Sequence, residues 1–160
     1  MIFVTVGTQK FPFTRLFQMV EKLIQSHLIT DEVIAQVGYT EYASDRMTIY
    51  KFLQETEMME NILASDIIIT HAGVGTITNC LENNKKIIVV PRTMELGEHI
   101  DNHQMEITDV FKKKNLIMTA NNQKDIERIF KNLEMVNLKN YVKTETSLIS
   151  AIKDYVDQYN

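Results

Sequence analysis

An α/β domain, built on a parallel sheet with helices on both faces, is the fold class this sequence predicts. Three observations carry it. Short β-branched runs, at residues 2–6, 67–70 and 87–90, alternate with segments whose apolar residues recur at helical spacing. The strand runs are continuously apolar, as strands covered on both faces are. Two of them end in glycine-bearing turns, "VTVGTQ" and "ITHAGVGT", with helix-patterned sequence beyond. A Rossmann-like layering follows, and open sheets of that kind bind ligands beyond the carboxyl ends of their strands.

Each element has its own justification. Residues 2–6 form a buried strand ended by Gly7. Phe13, Leu16, Phe17, Val20, Leu23 and Ile24 then mark an amphipathic helix over 13–26. A second strand occupies 32–37, and a weaker third 47–50. Met58, Met59, Ile62 and Leu63 belong to a helix before Asp66, with the methionines as packing. After the strand at 67–70 come a helix at 76–83 and a strand at 87–90 closed by Pro91. A loop at 92–98 leads into a helix over about 100–113, with a last strand at 116–119. Asp125, Ile126, Ile129, Phe130 and Leu133 make one more helix, completing a main domain over 1–136. Residues 137–160 read as a link and a C-terminal amphipathic helix. In it Leu148, Ile149, Ile152, Tyr155, Val156 and Tyr159 share one face, either packing on their own domain or docking on another polypeptide.

Composition removes several classes. With 160 residues the chain can bury a core without disulfides or a structural metal. The formal net charge of −4 gives no global basic field, so no nucleic-acid partner is expected. The local clusters Lys85-Lys86 and Lys112 to Lys114 sit at expected helix ends, where cations suit the dipole, or form a phosphate or lipid-headgroup patch. Cys80 is the only cysteine, which fits a reducing compartment. The amino terminus enters a strand without a signal-like region, and no apolar run approaches the ~20 residues of a membrane helix. A cytoplasmic location is expected, with any membrane association coming through a partner.

The chemistry concentrates in three motifs. Beyond the fourth strand, Gly73 and Gly75 remove side chains where backbone must come close. The N–H groups of the next helical turn then favour an anion. Thr76 either caps that helix or donates to a phosphate oxygen. His71 is a candidate phosphate contact or a structural residue. Gly7, Thr8 and Gln9 form the matching turn after the first strand. A G-x-G-x-x-G fingerprint with its downstream acid is missing there, and no Walker-type loop occurs, which disfavours NAD and nucleoside-triphosphate hydrolysis. The third motif, "PRTMELGEHIDNHQ", gathers Arg92, Glu98, His99, Asp101, Asn102, His103 and Gln104. His99 and His103, four apart, could share a helix face and suit a metal, but no H-E-x-x-H pattern completes them. A cluster of donors and acceptors aimed at a polyhydroxylated ligand is preferred over a solvated helix start.

"MIFVTVGT", "ASDIIITHAGVGT" and "VVPR…LGEH…NHQ", in that order, resemble the carboxy-terminal half of GT-B glycosyltransferases of family 28, over about residues 1–120. The resemblance is closer to free-standing single-domain members than to the peptidoglycan enzyme of the family. These are PssE-like subunits of capsule and exopolysaccharide synthesis and the catalytic subunit of the two-subunit dolichol-linked N-acetylglucosaminyltransferase. The resemblance implies a UDP-sugar donor site, with Val74, Gly75 and Thr76 at the diphosphate and His103 and Gln104 reading sugar hydroxyls. Asn79 stands where the peptidoglycan enzyme of the family has a ribose-gripping Glu. Phe52 and Leu53 would lie near the base. Arg92 and the helix terminus would stabilise the leaving UDP without metal or other cofactor, and Glu98 and His99 would orient the sugar or line a junction.

Because only the donor half is present, the resemblance also implies a membrane-anchored, acceptor-binding partner subunit. The pair would be an inverting hexosyltransferase, galactosyl by preference, acting on a polyprenyl-diphosphate-linked sugar at the inner face of the membrane. A non-catalytic nucleotide-sugar-binding scaffold is the alternative.

Overall fold

The computed structural model describes residues 1–142 together with Ser150 and Ile152. Six parallel strands, β1 (Ile2–Thr5), β2 (Val33–Gln36), β3 (Thr48–Tyr50), β4 (Ile67–Thr70), β5 (Lys86–Val89) and β6 (Met118–Thr119), lie in the order β3-β2-β1-β4-β5-β6. Among residues 1–142 five α-helices accompany them: α1 (Thr14–Gln25), α2 (Glu55–Ala64), α3 (Val74–Glu82) and α4 (His103–Lys113) between strands, and α5 (Gln123–Lys131) after β6. This is the doubly wound order whose direction reverses between β1 and β4, the switch point at which open α/β sheets hold ligands.

Period-two alternation of the strands builds two cores. Ile2, Val4, Val6, Ile69 and Ile88 face one side, against Leu16, Phe17, Val20 and Leu23 of α1 and Ile126 of α5. Phe3, Ile68, Ile87 and Val89 face the other, against Ile62 of α2, Ile77 and Leu81 of α3, and Ile107 and Phe111 of α4. Both faces are therefore covered, as the continuous apolar strands require. β3 carries the weakest sequence signal because it is the edge strand, with two of its three residues exposed.

Two helix starts differ from the sequence expectation. α3 begins at Val74 with Gly73 as its N-cap, not at residue 76, so Thr76 is the third helical residue and no cap. α4 begins at His103, because residues 97–102 turn: Gly97 takes φ +68, and Asp101 Oδ1 accepts the His103 N–H at 3.0 Å. Residues 137–139 are tied to the domain, Asn115 accepting the Lys139 N–H at 2.9 Å and donating to Asn137 O at 3.0 Å. The expected C-terminal helix lies outside the described residues, apart from helical Ser150 and Ile152, and Ile152 is buried in the second core. Among the described residues no helix is long and apolar enough to cross a membrane.

Candidate functional site

At the switch point the turn after β1 faces the turn after β4. Gly7 has φ +69, and a Cβ there would stand 2.7 Å from His71 Cε1. A Cβ on Gly73 would stand 2.4 Å from His71 Nε2. Both glycines thus make room for one imidazole, which joins the two turns. Gly73 thus has a packing reason of its own, the space it leaves for His71.

His71 is pinned in one state. The Thr70 hydroxyl donates to Thr5 O at 2.9 Å, so its oxygen presents a lone pair to His71 Nδ1 at 3.3 Å. That network assigns the proton to Nδ1. Burial first, then the Arg92 guanidinium, pulls the ring's pKa from 6.5 down to about 3. The neutral ring has no proton on Nε2 for a phosphate oxygen, so its first role is that of a spacer between the turns.

The N-terminus of α3 is the natural anion site. No side chain caps it, and a Cβ on Gly75 would meet nothing within 4 Å. Gly75 therefore answers to no packing need of the protein itself; it keeps open the space over the first-turn N–H groups. Asn79, one turn along, is exposed on the same face.

Beside this turn is a cavity of about 200 Å³ lined by Gln9, His71, His99, Asp101, His103 and Gln104 and by Ala72, Gly73, Val74 and Ile107. Gln104, buried on α4, accepts from the backbone N–H of Arg92 at 3.1 Å and of Ala72 at 3.4 Å, and donates to Gln9 Oε1 at 3.4 Å. Its oxygen ties two loops together, and its amide nitrogen is the end turned to the β1 turn. His99 and His103 do not share a helix face, because His99 precedes α4. Instead Asp101 lies between them, 2.9 Å from His99 Nδ1 and 3.8 Å from His103 Nε2. His103 also meets Glu106 at 3.3 Å. Among the described residues no group of His, Cys, Asp and Glu is arranged to hold a metal.

Two expected site residues lie beneath the site. Arg92 is fully buried. Its guanidinium donates to Phe11 O at 2.6 Å, Glu98 O at 3.2 Å and Val6 O at 3.2 Å, and stacks 4.7 Å over Phe13. Desolvation lowers its pKa from 12.5 to about 10, and it remains a cation. Glu98 is likewise buried, held by Arg15 at 2.8 and 2.9 Å and by the Thr93 N–H at 3.1 Å. Neither side chain is among those lining the cavity, so neither is placed to touch a leaving group or a sugar. Together they stiffen the loop that presents His99 and Asp101.

The remaining predicted residues lie along the same edge of the sheet. Thr8 is exposed in the β1 turn. Phe52 is exposed just beyond β3, and the half-buried Leu53 gives its N–H to Gln36 Oε1 at 3.0 Å. Sequence reasoning missed Arg15, an ordinary polar position of an amphipathic helix.

A family model described as "Glycosyltransferase family 28 C-terminal domain" matches residues 1–159. Relatives include the UDP-N-acetylglucosamine transferase subunit ALG13 of Candida albicans, 35% identical over 49% of this chain and 25% of that protein. The subunit of the same name from Homo sapiens is 27% identical over 71% of this chain and 10% of that protein. The matched regions thus span a quarter or less of those relatives. Among solved structures, the solution structure of ALG13 superposes with a TM-score of 0.61 at 21% identity, covering 95% of this chain and 96% of that one. The glycotransferase of kitacinnamycin gives 0.59 at 10% identity, covering 96% of this chain but 38% of that one. At such identities these superpositions speak for the fold.

Proposed function

The chain belongs to the glycosyltransferase family 28 C-terminal domain family, and from that premise we propose that it is the donor-binding subunit of a UDP-sugar glycosyltransferase. The observation that carries this reading is the uncapped N-terminus of α3, kept open by Gly75 and flanked by a small cavity rich in amide and imidazole groups. The first feature suits a diphosphate and the second a hydroxylated sugar.

The diphosphate rests on the first turn of α3, Val74 to Thr76, where backbone N–H groups and the helix dipole meet the charge that grows on the departing UDP. Gln104 N–H, His99 and His103 contact the sugar, and Asn79 reaches the ribose. No metal or other cofactor is needed in this scheme. Asp101, the carboxylate lining the cavity among the described residues, is engaged with His99 and His103, and His71 titrates too low to accept a proton from an acceptor hydroxyl near neutral pH. On the family resemblance, the base is placed on a second, membrane-anchored subunit that also binds the acceptor. The relatives' names, each a transferase "subunit", support that division.

The acceptor proposed is a sugar on a polyprenyl diphosphate, used in capsular or exopolysaccharide synthesis at the cytoplasmic face of the membrane. UDP-N-acetylglucosamine, the donor in the relatives' names, and UDP-galactose, favoured by the sequence resemblance, are the two hexosyl donors to compare first. The test is transfer from each donor by the membrane subunit alone and with this chain. Transfer that requires this chain supports the reading. Full activity of the membrane subunit alone makes this chain a scaffold instead.

A further inference from the structure

Two lysine clusters lie far apart in the sequence, and the fold brings them to one edge of the sheet. Lys85 and Lys86 open β5, and Lys112 to Lys114 close α4, which runs back along the sheet from the candidate site. One cavity there, of about 250 Å³, is lined by Lys85, Lys86 and Lys139 and by the amides Asn84, Asn137 and Asn140. A second, of about 430 Å³, is lined by Lys113, Lys114 and again Lys139 and Asn140. Leu116 is common to both. Lys139 is fixed between them by backbone, its N–H donating to Asn115 O at 2.9 Å while Asn115 Nδ2 donates to Asn137 O at 3.0 Å.

Five lysines therefore line the two cavities, and among the described residues no acidic side chain lines either. Lys85 is engaged internally, its Nζ donating to Leu63 O at 2.6 Å and Ser65 O at 2.9 Å. Lys86, Lys113, Lys114 and Lys139 are exposed and make no ion pair among the described residues. On a chain of net charge −4 this is a local reversal of sign. Two large apolar side chains, Met135 at 76% and Val142 at 55% exposure, flank the segment 136–141 that lines the first cavity.

The chemistry suits a surface better than a single enclosed phosphate. Every cation is a lysine, a point charge on a flexible stem, without the fork by which arginine grips one phosphate at two oxygens. Such stems lay their methylenes along apolar surface and lift the ammonium to a polar layer. Basic clusters of this size are drawn to anionic bilayers. We infer that this edge of the domain rests on an anionic lipid surface, its exposed lysines among the headgroup phosphates and Met135 and Val142 between them. The chain then makes a membrane contact of its own, beside any anchor that a partner supplies. The candidate site lies at the other end of α4, eleven residues or about 16 Å away, on the side turned to water.

Co-sedimentation of the full chain with vesicles tests this, one set of phosphatidylcholine and one of equal parts phosphatidylcholine and phosphatidylglycerol. Binding to the anionic set alone, falling as salt rises, is the expected result. Each lysine near such a surface strengthens partition about fivefold, so Lys113→Gln and Lys139→Gln together should weaken it about twenty-fivefold. Lys22→Gln and Lys124→Gln together, the same charge change on α1 and α5, should partition like the parent. All four side chains are exposed, and a thermal melt verifies each fold. Equal binding to both vesicle sets, equal weakening by both double variants, or no binding at all overturns the inference. Displacement by inorganic phosphate but not by chloride at equal ionic strength would mark a pocket for free phosphate and overturn it too. The donor-site reading fails separately: a parent chain that binds anionic vesicles but not UDP keeps this inference and loses that one.

Discussion

Replacing Gly75 with alanine separates what the fold needs from what the ligand needs. The added methyl would meet no protein atom within 4 Å, and residue 75 lies in the first turn of α3 with ordinary helical backbone. Alanine there should therefore stabilise the domain by about 0.5 kcal/mol, through helix propensity and a less floppy unfolded chain. For a domain of this size that raises Tm by roughly 1–2 °C. Binding should move the other way. Every Cα–Cβ bond in a helix tilts toward its N-terminus, so the methyl projects over the first-turn N–H groups. Losing one or two charge-assisted hydrogen bonds to a diphosphate costs about 2–3 kcal/mol, a weakening on the order of a hundredfold. Gly75→Asp should abolish binding by adding a carboxylate to the same space. Calorimetric titration with UDP beside a thermal melt checks both halves. An alanine variant that melts higher and binds UDP like the parent would refute the claim that Gly75 is there for a ligand.

Two other predictions concern the scaffold. With its folded pKa at about 3, His71 stays neutral in the native state while an unfolded histidine takes up a proton below about 6.5. Above that pH it has no effect. Below it the unfolded state binds the extra proton, so stability falls by up to about 1.4 kcal/mol per pH unit, down to about pH 3. Urea melts from pH 7 to 4 should show this slope, and His71→Gln should make it shallower by one proton. Glu98→Ala strands Arg15 and should cost about 3 kcal/mol in the same melts. Because Arg15 and Glu98 act as one unit, the Arg15→Ala, Glu98→Ala double variant should lose clearly less than the sum of the two. Additive losses would mean that the pair is not coupled.

Strand and helix order were legible because burial on both faces leaves a strong signature: runs such as Ile67, Ile68 and Ile69 admit few other readings. Helix starts were less so. Thr76 looks like a cap by type, yet α3 takes Gly73 as its cap, where a side chain would strike His71. The glycine turns fall at the switch point between β1 and β4, but the duty of each glycine was not legible. Gly7 and Gly73 accommodate an imidazole, whereas Gly75 faces open space. Arg92 was misread for a physical reason. An arginine beside a ligand loop is recognised by its charge, but the N–H groups of this one are taken up by the carbonyls of Val6, Phe11 and Glu98, which side-chain sequence patterns do not encode. Glu98 was hidden in the same way by Arg15, more than eighty residues away in the chain.

The central claim is that the donor diphosphate sits on the first turn of α3. Amide chemical shifts of the chain titrated with UDP test it most directly. The account predicts saturable shifts led by Val74, Gly75 and Thr76, with smaller ones at Gly7 and Gln104. Shifts confined to other surfaces, with the amides of residues 74–76 unmoved at saturation, would contradict it.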